Sequence, residues 1–237
     1  ALATLQAYNN GELTNINTLN SPKIQTIDIS NTKKLTQIEG LSDKDQLEKF
    51  VAWSNKIESY DFSKMTKLKS INLIGSPVKE IKGLSAAGTN LTSLDLGSTQ
   101  ISSLDVTQNT ELQKLNLSYV KGITTLDLSN NTRLTELTTN NSGIRELKLG
   151  SKNGLKNINV SGSKLSSLDI SEAGTIENIA VGLQTDATGT NQQIKVTMTQ
   201  QQKDYFDSKG IIFTENIITN NSDKNKPNSN VKVIIKQ

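Results

Sequence analysis

The stretch "ISSLDVTQNTELQKLNLSYVKGITTLDLSNNTRLTELTTNN", residues 101–141, states nearly the same text twice. Ile101-Ser-Ser-Leu-Asp-Val returns as Ile123-Thr-Thr-Leu-Asp-Leu. Asn109-Thr-Glu-Leu-Gln-Lys-Leu returns as Asn131-Thr-Arg-Leu-Thr-Glu-Leu. The apolar residues fall at positions 1, 4 and 6 of each short unit, which is neither a helical period nor one long alternating strand.

Working outward, the same "L-x-x-L-x-L" unit starts at Leu2, Leu13, Ile24, Leu35, Leu47, Ile57, Leu68, Val78, Leu91, Ile101, Leu112, Ile123, Leu134, Ile144, Leu155, Leu165 and Ile176. Successive starts lie 10 or 11 residues apart, with two longer gaps at "EGLSDKDQ" and "KGLSAAGTN". One unit type reads I-x-x-L-D-[VL]-[TS]-x-N-T, the other L-x-x-L-x-L. Two units make a coil of about 21 residues, at the short end of the leucine-rich-repeat range. Positions 1, 4 and 6 then point inward, while 3, 5 and 7 point outward from a short strand. Stacked at strand spacing of about 4.8 Å, some nine coils extend over roughly 40 Å. A coil this short has no room for a full helix on its return side, because a helix needs about 10 Å of width. The fold class predicted is therefore a mostly β, α/β-type solenoid. It is a right-handed leucine-rich-repeat arc with little helix, weakly curved, carrying a small C-terminal cap.

Composition agrees. Only 33% of the 237 residues are hydrophobic and 4% aromatic, which is lean for a globule but adequate where each unit packs only on its neighbours. Lys and Arg number 26 against 23 Asp and Glu, too balanced for a surface that tracks phosphates, so no nucleic-acid partner is expected. Cys and His are both absent, which removes disulfides, thiolate nucleophiles, imidazole bases and the usual metal ligands. The series Asp61, Asp105, Asp127, Asp169 stands one per coil without Gly-Gly-x-Gly-x-Asp text, so no calcium ladder is expected. No pair of acids stands out for hydrolysis, and the reading is of a non-enzyme with no cofactor. No apolar run is long enough for membrane insertion. The first residues already read as repeat, which suggests a chain cut from a longer precursor.

The text "LDVTQNTELQKLNLS" and "LDLSNNTRLTELTTNN" resembles bacterial leucine-rich-repeat cell-surface proteins. It is similar to the 21-residue class of some internalin-type adhesins and Bacteroidetes surface proteins. The resemblance covers about residues 1–183 and is most specific over 91–170. In part of that class a cysteine recurs at the sixth strand position. Here that position holds Ala7, Ile29, Ala52, Leu73, Leu96, Leu117, Thr139, Val160 and Val181, so aliphatic packing replaces a ladder. The resemblance implies an exported, secreted or cell-surface recognition domain that works in adhesion or protein binding.

Three segments follow: a solenoid over 1–183, a strand–helix–strand cap over 184–218, and a polar linker with a strand-like tail over 219–237. The cap covers the apolar face and open sheet edge of the last coil. The tail either folds back as an edge strand or begins another domain.

A solenoid presents its concave strand face as a regular grid of side chains. On the series starting at Leu2, Ile24 and Leu47, the ligand-binding candidates are Lys49, Val51, Trp53, Asn72, Ile74, Asp95, Lys114 and Asn116. Trp53 is the only Trp, and an exposed aromatic rimmed by polar groups marks an interaction site. The competing reading is that the "SDKDQ" insertion shifts the register and buries it. Tyr119, at position 8, is a second anchor or a turn cover. Asn109 and Asn131 are the residues expected to hold the turns. A protein partner is the first reading; a carbohydrate, held by Trp53 with Asn72 and Asp28, is the alternative, and a structural spacer is a third.

Overall fold

The computed structural model describes residues 2–182, 184, 185, 188, 193–211, 213, 214, 217, 218 and 231–236. All repeat units but the one starting at Ile101 contribute a strand of only three residues, whose middle residue points inward. The strands are β1 (Thr4–Gln6), β2 (Asn15–Asn17), β3 (Thr26–Asp28), β4 (Gln37–Glu39), β5 (Lys49–Val51), β6 (Ser59–Asp61), β7 (Ser70–Asn72) and β8 (Glu80–Lys82). They continue as β9 (Ser93–Asp95), β10 (Lys114–Asn116), β11 (Thr125–Asp127), β12 (Glu136–Thr138), β13 (Glu146–Lys148), β14 (Asn157–Asn159), β15 (Ser167–Asp169) and β16 (Asn178–Ala180).

One strand per coil joins a continuous parallel sheet of nine strands, in the order β1-β3-β5-β7-β9-β10-β12-β14-β16. The register is strict: Val51 pairs with Asn72, Asn72 with Asp95, and Asp95 with Asn116. Side chains at equivalent positions therefore form straight columns across the coils. The second strand series is broken into β2-β4, β6-β8 and β11-β13, with β15 passing to the cap. Two of the breaks follow the two long gaps in the sequence. After β4 the extra residues form a 3₁₀ turn at Leu41–Asp43, and a cavity of about 260 Å³ opens beside Ile38, Leu41, Ile57 and Tyr60. After β8 they form the single helical turn α1 (Leu84–Ala87), and the next unit of that series, starting at Ile101, makes no strand. The insertions thus disturb one face and leave the nine-stranded face intact.

The core is one stack of Leu, Ile and Val from positions 1, 4 and 6, nearly all fully buried. Removing a fully buried aliphatic side chain of this kind from water is worth about 1.5–3 kcal/mol. The coil around residue 50 is filled differently. Phe50, Tyr60 and Phe62 pack ring on ring with centroids 5.1–5.8 Å apart, and buried Asn55 donates to the Tyr60 hydroxyl at 3.0 Å.

Buried polar groups close the coils at position 9. Asn109 Nδ2 donates to the carbonyls of Leu84 (2.9 Å) and Gly88 (3.2 Å). Asn131 Nδ2 donates to those of Val106 (2.9 Å) and Asn109 (2.8 Å). Both side chains tie their coil to the one before it. Ser76, Ser163 and Gln184 do the same on the other series, reaching the carbonyls of Ala52, Thr139 and Val160. At Lys152 an ammonium takes the role, donating to the carbonyls of Leu128, Leu149 and Ser151. Burial pushes that amine down to about 8, against the charge of Asp127.

Beyond the repeats, β17 (Ile194–Met198) pairs with β15, and β20 (Val231–Ile235) pairs with β17, all parallel. The tail therefore lies back on the cap. Between them come α2 (Gln200–Ser208) and an antiparallel pair, β18 (Phe213–Thr214) with β19 (Ile217–Ile218). Thr199 and Gln202 form a reciprocal capping box at the start of α2. Gln202 also donates to the carbonyls of Ile170 (2.8 Å) and Ala173 (2.7 Å), which joins the helix to the last turn of the solenoid. The linker at 219–230 lies outside the described residues.

Candidate recognition surface

The columns of the nine-stranded face differ in what occupies them. At position 3, Lys49 is exposed, whereas Lys114 is engaged in an ion pair with Glu136 at 2.7 Å. Such an exposed pair contributes little stability. At position 5 stand Asp28, Val51, Asn72, Asp95 and Asn116, all half-buried. At position 7, Trp53 and Ile74 are exposed at 37% and 38%, side by side on neighbouring coils. The "SDKDQ" insertion is absorbed in the 3₁₀ turn, so β5 keeps its register and Trp53 stays at the surface.

Most polar residues at position 5 have a local structural duty. Their side-chain oxygen accepts from the N–H two residues on, which fixes the end of the strand. Asp28 does so with Ser30 (3.1 Å), Asn72 with Ile74 (3.1 Å), Asp95 with Gly97 (3.1 Å), Asn116 with Ser118 (2.9 Å) and Asn159 with Ser161 (3.1 Å). Val51 breaks the column, because valine has no acceptor. Its place beside Trp53 and Ile74 makes a small apolar block where the pattern calls for a polar group. The aspartates of the other series are accounted for in the same way. Asp61, Asp105, Asp127 and Asp169 accept from Ser63, Thr107, Ser129 and Ser171. Among the described residues no group of three or more acidic side chains converges to hold a metal ion.

Asp95 is perturbed by its surroundings. Burial pushes its carboxyl up, while the Gly97 N–H and the Asn116 side-chain amide (2.9 Å) pull the other way. Gly97, at position 7 of the same coil, is buried, and the side chains around it leave no room for one of its own. A Cβ there would stand 3.1 Å from Asn116 Nδ2, 3.3 Å from Ile74 Cγ1 and 3.4 Å from Asp95 Oδ1. Gly97 is not among the residues with positive φ, so the backbone does not require glycine at that position.

Sequence reasoning passes over Gly97 and the backbone of Tyr119. Position 8 of this series is left-handed in coil after coil: Asn9, Asn31, Ser54, Gly75, Ser98, Tyr119, Asn141 and Gly162 all have positive φ. Tyr119 has φ 62° and is 54% exposed. The signal was legible: in a column of Asn, Gly and Ser, one bulky aromatic stands where left-handed backbone disfavours it.

The chain matches no protein-family model, and no curated protein matches it. Solved structures do resemble it. A leucine-rich-repeat protein of Leptospira interrogans superposes with a TM-score of 0.56 at 19% identity, covering 76% of this chain and 53% of that one. The functional domain of InlJ from Listeria monocytogenes, which includes a cysteine ladder, gives 0.46 at 16% identity, covering 84% and 64%. An internalin, inlF, of the same species gives 0.38 at 15%, covering 76% and 75%. The chain thus spans about half the length of the Leptospira protein. At such identities the likeness is one of fold, and the fold this chain carries is that of a leucine-rich-repeat solenoid.

Proposed function

We propose that this chain is a non-enzymatic recognition module of an exported bacterial surface protein, and that it binds a protein partner through the nine-stranded face. The observation that carries the reading is the apolar block of Val51, Trp53 and Ile74. Trp53 and Ile74 are exposed, the block sits on the one uninterrupted sheet among the described residues, and half-buried Val51 departs from the polar column that turn closure explains. Exposed aromatic and aliphatic groups rimmed by polar ones are the usual anchors of protein interfaces. Lys49, Asn72, Asp95, Asn116 and Lys114 supply that rim. No helix among the described residues is long and apolar enough to cross a membrane. Placement at the cell surface rests on the resemblance noted above.

The test is a pull-down from host and bacterial surface extracts, comparing the domain with a Trp53→Ala, Ile74→Asp variant whose circular dichroism matches the parent. A protein captured by the parent and lost with the variant supports the reading. A partner kept by both places the site elsewhere. Capture that survives protease treatment of the ligand but not glycan removal supports a carbohydrate ligand instead.

A further inference from the structure

Two carboxylates bracket Val51 and Asn72, and Trp53 and Ile74 lie two residues further along those two coils. Along position 5 the column runs Asp28, Val51, Asn72, Asp95, with each pair in direct register. Each aspartate uses Oδ1 to accept the N–H of its own turn. Among the described residues, neither makes an ion pair with a Lys or Arg, although inter-coil pairs such as Lys69–Glu48 and Lys114–Glu136 are frequent on this chain. Both are half-buried, so their charge is less screened than that of the fully exposed acids around them. Asp28 and Asp95 are separated by three strand spacings, about 14 Å.

An extended peptide rises about 3.4 Å per residue and turns alternate side chains to one face. Residues i, i+2 and i+4 therefore share a face and span about 13–14 Å. We propose that the partner presents an extended basic–x–apolar–x–basic segment laid across the strands. Its two Lys or Arg side chains meet Asp28 and Asp95, and its apolar side chain rests on Trp53 and Ile74. The charge, the spacing and the central apolar block all select this pattern over an acidic or neutral one. This inference rests on the nine-stranded face being the recognition surface, and it fails separately from that reading.

The probe is a nine-residue peptide, Ser-Gly-Lys-Thr-Leu-Thr-Lys-Gly-Ser. One control carries Glu at both Lys positions; another has both Lys moved next to each other. Binding is followed by the fluorescence of Trp53, the chain's only Trp, and by amide NMR shifts at Gly97 and Ser30. The expected result is binding of the first peptide at least tenfold tighter than either control. Asp28→Asn and Asp95→Asn each weaken it, since Asn keeps the turn-closing acceptor and removes only the charge. An Asp28→Lys, Asp95→Lys variant reverses the preference toward the Glu peptide. Equal affinity for all three peptides, insensitivity to both Asn variants, or no binding of any peptide at several millimolar overturns the proposal. The face as a protein-binding surface is tested separately, and falls if the partner captured in the pull-down is retained by the Trp53→Ala, Ile74→Asp variant.

Discussion

The side-chain amide of Asn131 donates to the backbone carbonyl of Asn109 at 2.8 Å, and Asn109 is the residue that fills the same position one coil earlier. Asn131 also reaches the Val106 carbonyl at 2.9 Å, and both side chains are fully buried. Asn131→Ala would remove these two bonds, while the Val106 carbonyl keeps the Asn109 N–H and the Asn109 carbonyl keeps the Leu112 N–H. Each lost bond costs a net of about 0.5–1.5 kcal/mol. The urea midpoint is expected to fall by an amount equivalent to roughly 1–3 kcal/mol. A midpoint unchanged within error would show that water replaces the amide and that the tie between coils is dispensable.

Lys152 performs the same task with a charge, and that makes its contribution depend on pH. Its folded pKa lies near 8, below the 10.5 of the free side chain, because burial disfavours the ammonium. Between these values the unfolded chain holds more protons than the folded one, so stability rises with pH. Lys152→Met removes this dependence along with the bonds to Leu128 and Leu149. The stability difference between parent and variant should therefore widen from pH 8 to pH 10. A constant difference over that range would mean that the three carbonyls offset the desolvation completely.

The turn-closing aspartates act at the other end of the pH scale. The Ser129 hydroxyl and N–H, helped by Lys148, hold Asp127 down to about 2. Ser63 lowers Asp61, and the Thr107 N–H and hydroxyl lower Asp105. Depressed carboxylates stabilise the fold above their ordinary pKa, and that contribution is lost as pH falls through the folded value. An Asp61→Asn, Asp105→Asn, Asp127→Asn variant keeps the turn acceptors and does not titrate. It should be less stable than the parent at pH 7 and lose less stability between pH 4 and pH 2. Parallel acid-denaturation curves would refute this.

Tyr119 carries a strained backbone at a position where Gly75 and Gly162 sit without strain. A non-glycine residue in the left-handed region costs about 1–2 kcal/mol. Tyr119→Gly gives part of this back to the unfolded chain's greater freedom. A net rise in Tm of about 2–4 °C is expected for a domain of this size. A fall would show that the exposed ring packs on its neighbours more than it strains the turn.

The repeat text determined most of this architecture in advance, because positions 1, 4 and 6 have to be buried whatever the partner. Leu91, Leu94 and Leu96 illustrate it: each is buried, and Ser93 and Asp95 between them face outward. The strand of β5 was readable too, since the insertion before it lengthens a turn without adding a residue to the strand. The broken second ladder was not readable, because the missing strand at Ser103–Asp105 has the same I-x-x-L-D-V text as its neighbours. Its loss comes from the helical turn inserted one coil earlier, a tertiary effect. Asn109 and Asn131 were identifiable by recurrence, but Lys152 was not, since a lysine at a buried position breaks the expected pattern. On the candidate surface, Trp53 and Ile74 announced themselves by residue type. Gly97 did not, because a glycine in a repeat of small polar residues carries no signal until its neighbours are seen around it.

The central claim is that the nine-stranded face, and not the interrupted one, meets the partner. The most direct measurement places a photo-cross-linking residue in turn at Val51, at Ile74, and on the opposite series at Thr125 and Glu146. Each variant is irradiated with the partner recovered by the parent domain. The account predicts covalent adducts from positions 51 and 74 and none from 125 or 146. Adducts from 125 and 146 alone would contradict it.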